Sequence, residues 1–90
     1  MPRLRIQEGP GQGESLDLIG SRVSVGRAPD NDICLDDRTV SRYHAMFSER
    51  KGQWYVNDLG SRNRTAVNGE CVVAARIRHM DEVHVGNVVF

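Results

Sequence analysis

Ninety residues, 39% hydrophobic and 27% charged, suit one folded domain and leave no room for a second core. Twelve basic and twelve acidic side chains cancel, so no global field draws the chain onto a nucleic acid or an anionic membrane. No apolar run reaches the roughly 18 residues of a membrane span, and the start Met1-Pro2-Arg3-Leu4-Arg5 lacks the apolar segment of a signal peptide. A soluble, cytoplasmic chain without membrane contact is expected.

In chain order, apolar residues alternate with polar ones in short runs. Leu4 and Ile6 come first, then Leu16 and Leu18, Val23 and Val25, Ile33 and Leu35, Ala45 and Phe47, Trp54 and Val56, and last Val83 and Val85. Alternation of period two places one face of each strand in a core. Turn formers separate the runs: Gly9-Pro10-Gly11-Gln12-Gly13, Gly20-Ser21, Ala28-Pro29-Asp30-Asn31-Asp32, Lys51-Gly52, Gly60-Ser61 and Asn68-Gly69. Short strands so spaced predict an all-β sandwich of mainly antiparallel strands, because parallel pairing needs long crossovers. Phe47 and Trp54 fall on core positions. Asn87-Val88-Val89-Phe90 reads as the start of a final strand, so residues 1–90 are expected to be one domain of a longer protein.

Two segments, 25–44 and 58–68, have the wrong composition for simple connectors. Eleven of the twelve basic residues are arginines, and Arg27, Arg38, Arg42, Arg62 and Arg64 fall in these two segments beside Ser, Thr and Asn. A phosphate carries about −1.5 to −2 charges and three acceptor oxygens, and a guanidinium fork with hydroxyl donors matches it. Arg27, Ser41 and Arg42 supply such a set. Asn63, with both donor and acceptor, suits the backbone of an extended peptide.

Other chemistry is poorly supplied. His44 has no nucleophile or partner carboxylate at a convincing position, and His79 and His84 read as ordinary strand or loop residues. The glycine-rich segment 9–13 lacks the Lys-Ser/Thr ending of a phosphate loop. Asp36-Asp37 has no further ligands at fitting intervals for a metal, and Cys34 and Cys71 lack the spacing of a metal knuckle or redox pair. No enzyme, cofactor, metal or small-molecule substrate is expected. Gly26 reads as a tight bend, and Asn68-Gly69 as a type I′ hairpin turn.

The ordered blocks Val25-Gly26-Arg27, Asn31-Asp32-Ile33-Cys34-Leu35, Val40-Ser41-Arg42-Tyr43-His44-Ala45 and Asp58-Leu59-Gly60-Ser61-Arg62-Asn63 resemble the forkhead-associated domain. The resemblance implies an 11-stranded β-sandwich that binds threonine-phosphorylated peptides and has no enzymatic activity. It assigns Arg27, Ser41 and Arg42 to the phosphate, together with Ser61 in the second loop. It assigns Asn63 and Arg62 to the peptide, Thr39 to preference for a peptide residue beyond the phosphothreonine, and Gly26, His44 and Asn68 to support of the loops. Arg64 departs from the family, which usually has Gly there; if φ is positive at that position, an L side chain costs roughly 1 to 2 kcal/mol.

Two competing functions follow from the same residues. A degenerate pocket would leave a phosphorylation-independent scaffold or intramolecular docking domain. Nucleic-acid binding through the loop arginines is disfavoured by zero net charge and the absence of interleaved aromatics.

Overall fold

The alternating runs form strands where expected. A computed structural model describes residues 3–9, 12–18 and 20–90, with only the backbone of Arg3. Met1 and Pro2 of the start, and Pro10 and Gly11 of the opening turn, lie outside the described residues. The rest contains eleven strands and no helix.

The larger sheet has five strands in the order β4 (Ile33–Cys34), β3 (Arg22–Gly26), β5 (Ala45–Arg50), β6 (Gln53–Asp58) and β9 (Ala74–Ile77). A four-stranded sheet orders β11 (Val88–Val89), β10 (Val83–Val85), β7 (Thr65–Val67) and β8 (Glu70–Val72). The short hairpin of β1 (Arg3–Arg5) and β2 (Ser15–Asp17) joins it through residues 7 and 8: the Gln7 N–H donates to the Val89 carbonyl at 2.7 Å and the Val89 N–H to that of Glu8 at 3.1 Å. The inner faces meet in a core of Val25, Phe47, Val56, Val85 and Val88, all fully buried. Phe47 and Phe90 close it edge to face, with centroids 6.2 Å apart.

One pairing departs from the antiparallel expectation. β4 runs parallel to β3, with Val25 opposite Ile33 and Gly26 opposite Cys34, across a connection of only residues 27–32. A long crossover is needed to carry a full strand back to its start. Here β4 is two residues long, and a compact loop suffices. That loop is the one that carries Arg27.

Two features fix the frame. Asn68 and Gly69, with φ of 51° and 87°, form the two-residue turn of the β7–β8 hairpin, in the all-positive conformation that Asn-Gly favours. The Asn68 side chain then donates to Asp81 at 3.0 Å and accepts the Glu82 N–H at 2.9 Å, fastening the turn to the loop before β10. Trp54 is half-buried against the core beside Ile77, near the start of β6 and so at the opposite end of that strand from the loop after Asp58.

Candidate functional site

The first loop pair is zipped by backbone. Beyond the end of β3 the ladder continues: the Arg27 N–H donates to the Ser41 carbonyl at 2.9 Å and the Ala28 N–H to that of Arg42 at 3.1 Å. Arg27 is thereby fixed beside Ser41 and Arg42. Gly26 makes this approach possible, since a Cβ there would stand 2.2 Å from the Arg42 carbonyl oxygen. Its φ is not positive, so the glycine serves close packing and not the bend read from the sequence. The buried Asn31 amide ties the same strands, donating to the carbonyls of Ala28 and Arg42 at 2.8 Å each.

His44 joins this pair to the second loop. Its ring is fully buried; Nδ1 accepts the Ser41 N–H at 3.0 Å and Nε2 bonds the Arg64 carbonyl at 2.8 Å. The amide can only donate and the carbonyl only accept, so the hydrogen belongs on Nε2. Two further bonds cross the gap: the Arg62 N–H donates to Ser41 Oγ at 2.9 Å, and the Asn63 amide to the Thr39 carbonyl at 2.8 Å. Ser41 keeps its hydroxyl hydrogen for another acceptor. Asn63 keeps its carbonyl oxygen and one N–H.

The second loop is organised by Asp58. Its Oδ1 accepts the hydroxyls of Ser61 and of buried Thr65, the latter at 2.9 Å, while Oδ2 accepts the N–H groups of Gly60 and Ser61 at 3.0 and 3.1 Å. Burial pushes this carboxyl upward, but the donated bonds outweigh it and hold the pKa below the ordinary carboxylate range. The loop leaves Asn63 through Arg64, whose φ is 64°. The left-handed conformation therefore exists without the usual glycine.

Thr39 and Tyr43 are also tied down. The Thr39 hydroxyl donates to Asp37 in its own loop and accepts the Asn87 N–H at 2.8 Å, so it ties that loop to the β10–β11 turn. Those bonds, from the Thr39 hydroxyl first and then its N–H, lower the Asp37 pKa. Exposed Tyr43 reaches both oxygens of Asp30 at 3.0 and 2.8 Å, and that hydrogen bond raises the phenol pKa.

Between the loops lies an open cleft of about 240 Å³ lined by Arg27, Arg38, Thr39, Val40, Ser41, Arg42, Arg62 and Asn63. Arg27, Arg38, Arg42 and Arg62 are exposed, and none pairs with a carboxylate among the described residues. The structure thus brings together Arg27, Thr39, Ser41, Arg42, Arg62 and Asn63 from the sequence reading, and sets Gly26 and His44 behind them. Ser61, expected at the phosphate, does not line the cleft; its hydroxyl hydrogen and its N–H both go to Asp58. Arg38 lines the cleft although its sequence signal was only that of one loop arginine among five. Asp58 was missed altogether, because only its place three residues before Ser61 marks it as a turn-former. Among the described residues, no three His, Cys, Asp or Glu side chains gather as a metal site.

A β-sandwich presenting guanidinium, hydroxyl and amide groups in one cleft at its loop end defines a phospho-ligand recognition domain. The FHA domain model matches residues 23–86, and the chain belongs to the FHA family. It is 46% identical over 83 residues to the glycogen accumulation regulator GarA of Mycolicibacterium smegmatis, covering 92% of this chain and 52% of that protein. It is 41% identical to an oxoglutarate dehydrogenase inhibitor of Corynebacterium jeikeium, covering 92% and 58%. The chain spans about half the length of the curated relatives it matches. Among solved structures, Mycobacterium tuberculosis EmbR in complex with a low-affinity phosphopeptide superposes with a TM-score of 0.89 at 29% identity, covering 98% of this chain and 23% of that one. A structure from a study of phosphothreonine-dependent FHA domain interactions gives 0.88 at 26% identity, covering 97% and 88%. The chain is an all-β domain of that family.

Proposed function

We propose that this domain holds an extended threonine-phosphorylated peptide across the cleft, with Arg27, Ser41 and Arg42 on the phosphate and Asn63 on the peptide backbone. The observation that carries the assignment is the cleft between residues 41 and 63, where unpaired arginines flank a hydroxyl that still has its hydrogen to give. Arg62 adds its side chain to the wall. Ser61, Thr39, Gly26, Asn68 and His44 act by holding the loops in place.

A charge-assisted hydrogen bond contributes roughly 1.5 to 3 kcal/mol, against about 1 for a neutral pair. Two arginines are therefore enough to separate phosphorylated from plain threonine. The relatives named as a regulator and an inhibitor support a non-catalytic, regulatory role. A cytoplasmic setting fits the two free thiols.

Calorimetric titration of matched threonine and phosphothreonine peptides tests the assignment. Binding of only the phosphorylated form is expected, with Arg27→Ala abolishing it while the folded spectrum is kept. Equal affinity for both forms, or partner binding unchanged by phosphatase, would point instead to a phosphorylation-independent scaffold.

A further inference from the structure

The outer face of the five-stranded sheet carries cations remote from the cleft. In β3, β5 and β6 the residues that alternate with the buried ones, Ser24, Met46, Ser48, Tyr55 and Asn57, turn away from the core. Register sets Arg22, Ser48, Tyr55 and Arg76 in one row across β3, β5, β6 and β9, and Arg50 opposite Gln53 in the next row of that face. Lys51 follows at the hairpin tip, and a hollow of about 290 Å³ lies between Arg50, Lys51, Gln53 and Tyr55. This is the end of β6 opposite Asp58 and the binding loops.

Arg22, Arg50, Lys51 and Arg76 are exposed, and none pairs with a carboxylate among the described residues. The acids of these strands do not answer them. Asp32, at the margin, accepts the N–H and hydroxyl of Ser24, and Glu49 falls on the opposite face beside Trp54. Arg76 also borders the hollow that Glu70 and Asp81 line beside β8, yet bonds neither. Lys51 is placed against local preference: it takes φ 51° at the first position of the two-residue β5–β6 turn, where Asn or Gly is favoured. Arginine, tyrosine and methionine are residues that protein interfaces favour. Five strands about 4.8 Å apart and six residues long give roughly 19 by 20 Å of sheet, which suits a weak, reversible contact.

We propose that this sheet face docks an acidic surface segment of a partner protein, separately from the phosphate cleft. Arg22, Arg50, Lys51 and Arg76 meet its carboxylates, and Tyr55 and Met46 are covered beneath it. Charge complementarity selects the occupant, because the cations have no counter-charge of their own on this face. Nucleic acid, which stacks its bases on several aromatics, finds only Tyr55 among the described residues of the face. A merely solvated set of cations is the alternative to beat.

The test is an NMR titration of this chain with deca-glutamate in about 50 mM salt, where the screening length exceeds roughly 10 Å. Amide shifts are expected at residues 22, 48–55 and 76, and they should persist when Arg27→Gln and Arg42→Gln together disable the cleft. The combined variant Arg22→Gln, Arg50→Gln, Arg76→Gln should bind deca-glutamate roughly fivefold more weakly. Its amide spectrum should stay dispersed, which shows that it folds. Absence of binding, shifts confined to residues 27–44 and 58–64, or an affinity unchanged in the combined variant would overturn the proposal. So would tighter binding of an oligothymidylate of similar length, or of phosphatidylserine vesicles, to the same face at the same salt. The phosphopeptide reading is judged apart, by the affinity for a phosphothreonine peptide, which the combined variant should retain.

Discussion

Arg64 shows how a single residue can stand against its backbone. At φ 64° an L side chain is crowded by its own carbonyl, at roughly 1 to 2 kcal/mol, though glycine returns part of that through its greater freedom when unfolded. Arg64→Gly is therefore expected to stabilise the domain by about 0.5 to 1 kcal/mol, read as a higher urea midpoint at unchanged slope. The carbonyl that His44 bonds is main chain and survives the change. Asp58 gives a second test. Because its pKa is lowered in the fold, its contribution is present above the unfolded value, near 4, and is lost as pH falls through the lower folded value. Asp58→Asn puts an amide against donors and should cost about 1 to 3 kcal/mol at neutral pH. The variant's denaturation midpoint should also change less than the parent's on acidification below about pH 4.

At the scale of elements, the site is made by the ends of β3 and β6 and by loops that hydrogen-bond each other across the gap. Gly26→Ala is the sharpest test, since the added methyl would lie 2.2 Å from the Arg42 carbonyl oxygen and 2.8 Å from the Asn31 amide. The zip must open to admit it. A loss of more than about 2 kcal/mol is expected by the mechanism of overpacking, with weaker phosphopeptide binding in whatever folded protein remains. A stability within experimental error of the parent would show that the zip yields freely.

These elements also mark how far the sequence was legible. Strands such as β3 and β5 were readable because one face is buried, as Val23 and Val25 or Ala45 and Phe47 show, whereas β8 and β9, which hold no buried residue, carry no such run. The run at Ile33 was read as a strand, but its parallel pairing was not, because a two-residue strand escapes the rule that long crossovers enforce. Gly26 was singled out for the wrong reason, since what crowds it is Arg42, sixteen positions away in the chain. Ser61 was placed at the phosphate through its company in the sequence, while its actual acceptor, Asp58, was hidden in an unremarkable turn. Local chemistry identifies donors; only the fold says which are already engaged.

For the whole molecule, ligand and stability are linked. A partner that binds only the folded state adds roughly 2.7 kcal/mol at a hundredfold excess over Kd. In a domain of this size each kcal/mol moves the melting temperature by about 4 to 8 °C. A saturating phosphopeptide should thus raise Tm by about 10 °C or more, and its unphosphorylated twin should leave it in place. A shift by both peptides alike would contradict phosphate dependence.

The single tryptophan turns these measurements into two separate channels. Trp54 sits near the start of β6, four residues or roughly 13 Å along the strand from Asp58. Its indole is sheltered by the core and by Ile77, so its emission should change when the sheets part and stay constant when a peptide occupies the distant loops. A fluorophore on the peptide can then report occupancy while Trp54 reports integrity in the same cuvette. A variant that loses its ligand is told apart from one that loses its fold without a second preparation.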